Sequence, residues 1–142
     1  MARTNVTTYA LVFADGSVAR SQVVKGCEAG AFPKIEEKHG QFTAFRVEPH
    51  AFPTDDPYRA AWRLKDGAIV HDMPKAREVH RDRLRFARKA LMATLDVQFM
   101  RALEAGQDTK AIVTEKARLR DITADPRIDA AQTVDDLRRI TI

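Results

Sequence analysis

The chain has one cysteine, Cys27, so no internal disulfide can form and the fold must rest on packing and hydrogen bonding. A lone thiol of this kind reads as a small buried hydrophobe. Glycine and proline are scarce, six of each in 142 residues, which excludes collagenous and low-complexity architectures. No apolar run approaches the roughly 18 to 20 residues of a membrane span. The N-terminal stretch "MARTNVTTYALVFADG" meets a turn signal too early for a signal peptide, so a cytoplasmic protein is expected.

Chemical signatures are missing as well. There is no glycine-rich phosphate loop, no G-x-S-x-G, no H-E-x-x-H and no cysteine pair at metal spacing. The four histidines, His39, His50, His71 and His80, form no ligand pattern. His71 beside Asp72 is the one adjacency of a histidine and a carboxylate, and residues adjacent in sequence rarely converge on one point. The expectation is therefore a non-enzymatic protein with no cofactor, no metal and no small-molecule substrate.

What is present is a folded composition, 44% hydrophobic and 31% charged. The length suits one domain of ordinary size. The net charge of +4 is concentrated: residues 1–71 hold nine Lys/Arg against eight Asp/Glu, whereas 75–89 alone hold seven against two.

The pattern predicts an α+β fold, with a small N-terminal antiparallel sheet of two hairpins over residues 1–71 and a C-terminal helical hairpin over 72–142. In "TTYALVFADGSVARSQVV", β-branched and aromatic residues flank Asp15-Gly16, a pair suited to a tight primed turn. The next stretch is a connection punctuated by Gly26, Gly30, Pro33 and Gly40, with at most a short helix over 34–38. "QFTAFRVEP" alternates as a third strand ended by Pro49. Asp66-Gly67 then marks a second hairpin, with Trp62, Leu64, Ile69 and Val70 as its packing face. Four or five short strands need a cover on one face, and that cover is expected from the second half of the chain.

Asp72 and Pro74 open a helix that meets no glycine or further proline until Gly106. A second helix is expected from Asp108, a short third from Pro126 through Ala131, and a last one opened by the Thr133 and Asp136 capping box. The long helix carries two apolar stripes. One runs through Leu84, Ala87, Leu91, Leu95, Phe99, Ala102 and Leu103, the other through Phe86, Ala90, Ala93, Val97 and Met100. At ~100° per residue, Phe86 lies about 200° from Leu84, so the stripes oppose each other. About 32 residues in helix run ~48 Å, longer than the diameter of under about 40 Å expected of a compact domain of this size. Either the helix breaks near Thr94 to Asp96 and is sandwiched between sheet and helical hairpin, or its second stripe meets another chain or a ligand. Arg77, Arg81, Arg85 and Arg88 form a basic stripe beside the apolar one. Such a stripe tracks phosphates in nucleic-acid binders, but here Glu78 and Asp82 can pair with it at i,i+3, and no aromatic platform accompanies it. The expected partner-binding set is Phe86, Ala90, Val97, Met100, Arg77, Arg81, Arg85 and Arg88.

The segment "DGAIVHDMPKAREVHRDRLRFARKALMATLDVQFMRALEAG", followed by "KARLRDITADPRIDAAQTVDDLRRI", resembles the C-terminal part of small proteins encoded among bacteriophage tail genes. The resemblance lies in Lys75-Ala76, the Arg-rich turns from His80 to Arg88, Leu95-Asp96, Arg101 to Glu104, Leu119-Arg120-Asp121 and the stretch from Ala130 to Leu137. It covers about the last half of the chain and implies a tail structural or fibre-associated protein, or a tail assembly chaperone that is not retained. The partners it implies are other tail proteins or a second copy of the chain, and its implied location is the host cytoplasm during assembly or the virion tail. A small nucleic-acid-binding regulator is the competing reading of the arginine stripe.

Overall fold

The computed structural model describes residues 5–142. The fold is mixed α+β and divides into two compact units at the junction of Asp72 and Met73.

In the first unit, β1 (Val6–Phe13), β2 (Val18–Val24) and β3 (Phe42–Arg46) form an antiparallel sheet in the order β2-β1-β3. The short strands β4 (Trp62–Lys65) and β5 (Ala68–His71) form a separate two-stranded hairpin. The expected sheet of four or five strands is thus three plus two. The two Asp-Gly pairs also make different turns. Asp66 and Gly67 both have positive φ, 51° and 77°, giving the primed two-residue turn expected there. At the first hairpin only Gly16 does, and Phe13 and Ser17 are bonded across a three-residue loop. That is a turn followed by a left-handed glycine, which absorbs the odd residue.

The cover expected from the second half of the chain is not needed, because both faces of the three-stranded sheet are covered from within this unit. The connection after β2 holds a full helix, α1 (Glu28–His39), which tolerates Pro33 and carries Phe32 onto Tyr9 and Phe42 in edge-to-face contacts with centroids 5.1 and 5.7 Å apart. On the other face Ala10 and Val18 pack with Phe52 and Trp62, joined by Leu64 and Ile69. Strand alternation explains the split: Tyr9, Leu11 and Phe13 point one way, Ala10 and Val12 the other. In the β4–β5 hairpin Leu64 stands opposite Ile69, but Val70 stands opposite Arg63 on the reverse face and is exposed. Cys27 precedes α1 and is exposed rather than buried.

The second unit is helical. Helix α2 (Met73–Glu104) runs unbroken for 32 residues. Thr94 does not interrupt it, and its hydroxyl donates to the carbonyl of Ala90 one turn back. Asp96 caps nothing and instead pairs with Lys116 at 2.6 Å. Gly106, at φ 66°, ends the helix: its own N–H reaches the Leu103 carbonyl and that of Gln107 reaches Ala102. Helix α3 (Lys110–Asp121) follows, then a 3₁₀ turn (Ile122–Ala124), α4 (Pro126–Ala130) and α5 (Val134–Arg138), each packed on α2 or on a neighbour that is. Asp125 caps α4, and Thr133 with Asp136 forms the capping box expected of α5. Among the described residues, no helix is long and apolar enough to cross a membrane.

Candidate functional site

Ala76, His80, Leu84 and Ala102 are the buried residues of α2. Together with Leu119, Ile122, Ile128, Leu137 and Ile140 from the following helices and turns, they make the core of the helical unit. The short elements end with carbonyls that no helix of their own can satisfy, and side chains of α2 meet several of them. Arg88 donates to the carbonyls of Leu119 and Arg120 at the end of α3, at 3.1 and 2.8 Å. Arg81 donates to the Thr123 carbonyl in the 3₁₀ turn and to the Asp129 carboxylate of α4. Arg77 reaches the Ala131 carbonyl at the end of α4, at 2.7 Å, and the ring of His80 bonds the Ile140 carbonyl beyond α5. A cation at a helix C-terminus also meets the negative end of the peptide dipoles.

This arrangement divides the expected partner-binding set. Arg77, Arg81 and Arg88 are spent on the chain's own backbone. Arg85 is exposed and pairs with Asp82 along its own helix, and Glu78 pairs with Lys75 rather than Arg81. Spacing showed the stripe but not its use, because the carbonyls it meets lie 31 to 54 residues further on.

The apolar members are placed differently. Phe86 is 83% exposed, Met100 55% and Val97 50%; Ala90 and Ala93 are exposed too. These five lie within about 80° of one another around the helix and roughly opposite Leu84 and Ala102. Opposed stripes are therefore present, and the isolated chain buries residues of only the first, Leu84 and Ala102 fully and Leu95 and Phe99 in part. Ala87, Leu91 and Leu103, assigned by spacing to the buried stripe, are also exposed, Leu91 although it lies about 20° around the helix from Leu84; Val113 on α3 is exposed as well. A helix that passes 32 residues without a break cannot turn its second stripe inward, and α3 occupies the side marked by Asp96 and Phe99, where the Lys116 ammonium sits 5.3 Å from the Phe99 ring centroid.

A second constellation lies in the first unit. The buried Asp56 carboxylate accepts hydrogen bonds from the Trp62 indole at 2.7 Å and the Tyr58 backbone N–H at 2.9 Å, and it pairs with the His71 ring. Burial works to raise its pKa, but the bonds from Trp62, Tyr58 and His71 outweigh it and hold the carboxyl below its ordinary value. His71 thus meets Asp56, fifteen residues away, rather than its neighbour Asp72, which pairs with Arg63 at 3.3 Å. Every acceptor position described here serves to clamp the 56–71 segment. Among the described residues, no three His, Cys, Asp or Glu side chains are grouped so as to hold a metal ion.

No protein-family model, no curated protein and no solved structure matches this chain.

Proposed function

We propose that the chain is a non-enzymatic bacteriophage tail protein, structural or fibre-associated, that works through protein–protein contact along the outward face of α2. The observation that carries this reading is the uncovered row Phe86, Ala90, Ala93, Val97 and Met100, with Phe86 four-fifths exposed on an unbroken helix whose buried residues, Ala76, His80, Leu84 and Ala102, lie on the other side. A single exposed apolar residue is ordinary; a continuous row is the mark of a surface that another protein covers. Subunits of a tail are repeated by symmetry, and repeated contacts need such surfaces. The internal use of Arg77, Arg81 and Arg88 favours this reading over nucleic-acid binding, since few guanidinium groups of the stripe remain to follow phosphates.

The test is genetic and structural together. A phage carrying Met100→Asp is expected to produce particles with missing or incomplete tails by electron microscopy, while the purified variant keeps its helical circular dichroism. Normal particles and normal titre from that phage would overturn the proposal. Mass spectrometry of purified virions separates a retained tail component from an assembly chaperone that is left behind.

A further inference from the structure

Resting on the contact reading above, we infer that the outward face of α2 pairs with the same face of a second copy, the two helices running antiparallel. The face repeats at heptad spacing, which is the period of a helix-on-helix seam and not merely of a wetted surface. Val79, Phe86, Ala93 and Met100 recur every seven residues, and Arg83, Ala90, Val97 and Glu104 fill the alternate position. Between 86 and 100 every seam position is apolar, and the two alanines at its centre let the backbones approach closely. The apolar row is bounded by opposite charges, Arg83 before it and Glu104 after it. Both are exposed, and neither forms an ion pair among the described residues.

That asymmetry selects the orientation. A parallel pair would set Arg83 against Arg83 and Glu104 against Glu104, two like-charge contacts. An antiparallel pair sets Phe86 against Val97 of the second copy and Ala90 against Ala93 of the second copy, matching all four central layers. It also brings each Arg83 within one turn of the second copy's Glu104. The contact is isologous, so every favourable pair occurs twice, and the helix dipoles oppose rather than align. The apolar seam covers about two heptads, or ~21 Å of helix, which makes this a reversible dimer and not a permanent one.

Sedimentation velocity of the full chain from the low micromolar to the submillimolar range should show a concentration-dependent shift to twice the monomer mass. Arg83→Glu and Glu104→Arg should each weaken the dimer about three- to tenfold, since each turns two attractive contacts into repulsive ones. The combined R83E/E104R variant should return to within about twofold of the parent. Both residues are exposed, so circular dichroism should be unchanged throughout. In a Cys27→Ser background, a mixture of Phe86→Cys and Val97→Cys chains should cross-link to each other while neither cross-links to itself. A chain that stays monomeric at every concentration, a combined variant no better than the single ones, or self-cross-linking of Phe86→Cys would each overturn the inference. If the chain stays monomeric while Met100→Asp still blocks tail assembly, the pairing falls and the contact reading stands with a different partner. A dimer that obeys the charge swap while Met100→Asp assembles normally supports the pairing and removes its role in tails.

Discussion

Arg88, in the middle of α2, holds two carbonyls in the last turn of α3 through one guanidinium nitrogen, at 3.1 Å from Leu119 and 2.8 Å from Arg120. The contact joins residues 31 and 32 positions apart, and with Arg77, Arg81 and His80 it makes α2 a spine to which the ends of the shorter elements are tied. Helices of five residues, such as α4 and α5, cannot persist alone. Their ends must be fixed from outside.

Replacement of Arg88 should therefore unfold the helical unit more readily. Arg88→Met keeps most of the apolar stem and removes the donors, and is expected to cost about 1–3 kcal/mol, the range for a charge-assisted bond to a partly buried carbonyl. Arg88→Lys should recover only part of that, because the lysine ammonium sits on a shorter side chain than the guanidinium nitrogen that meets both carbonyls. Urea denaturation of the full chain followed at 222 nm checks both, and an unchanged midpoint for Arg88→Met would remove the spine interpretation.

The two stripes of α2 should respond oppositely to truncation. Leu84 is buried, so Leu84→Ala should destabilise by about 2–5 kcal/mol. Phe86 is not, and Phe86→Ala should change stability by less than about 0.5 kcal/mol when measured at concentrations where the chain is monomeric. Thermal denaturation of the pair decides whether the outward stripe belongs to folding or only to contact.

His80 supplies a pH dependence. Its burial is the main cause lowering its pKa below the ordinary 6.5, with Arg83 acting in the same direction and the Ile140 carbonyl bond opposing. A histidine with a depressed folded pKa takes up its proton more readily when unfolded, so its contribution is complete above 6.5 and is lost as pH falls from there through the folded value. Stability of the helical unit should fall as the pH drops below 6.5. The His80 ring signals in NMR should titrate at lower pH than an unperturbed histidine, and a ring that titrates at or above the ordinary value would contradict the burial argument.

Asp56 sets the acid limit of the first unit. Its carboxyl is held below the ordinary 3.8, so the stability it contributes is present above that value and is lost as pH falls through the folded one. Asp56→Ala should leave the Trp62 indole N–H unpaired in a buried position and cost about 2–4 kcal/mol, more than a single neutral hydrogen bond because two or three donors lose their acceptor at once. Asp56→Asn should cost less and flatten the acid limb of the unfolding curve. Trp62 fluorescence during acid titration reads both, and a variant with the parent's acid midpoint would show that another carboxylate controls it.

Local chemistry was legible wherever a few adjacent residues settle it. Asp66-Gly67 prescribed its turn, Gly106 its helix end, Thr133 and Asp136 their cap, and the absence of breakers between Pro74 and Gly106 prescribed a long helix, because each depends on backbone conformation within a turn or two. The two apolar stripes of that helix were equally visible, since periodicity is a property of the chain itself.

Which stripe is covered was decided only in three dimensions. Burial depends on which helices return to which side, and α3, α4 and α5 all return to the face of Leu84, leaving Phe86 and Met100 outside. The same holds for the arginines, whose partners are carbonyls supplied by distant helix ends, and for Asp56, which sequence gave no reason to join to Trp62 and His71. A carbonyl left over at a helix end has no sequence signature, because every residue type carries one; only the packed structure reveals which side chain it finds.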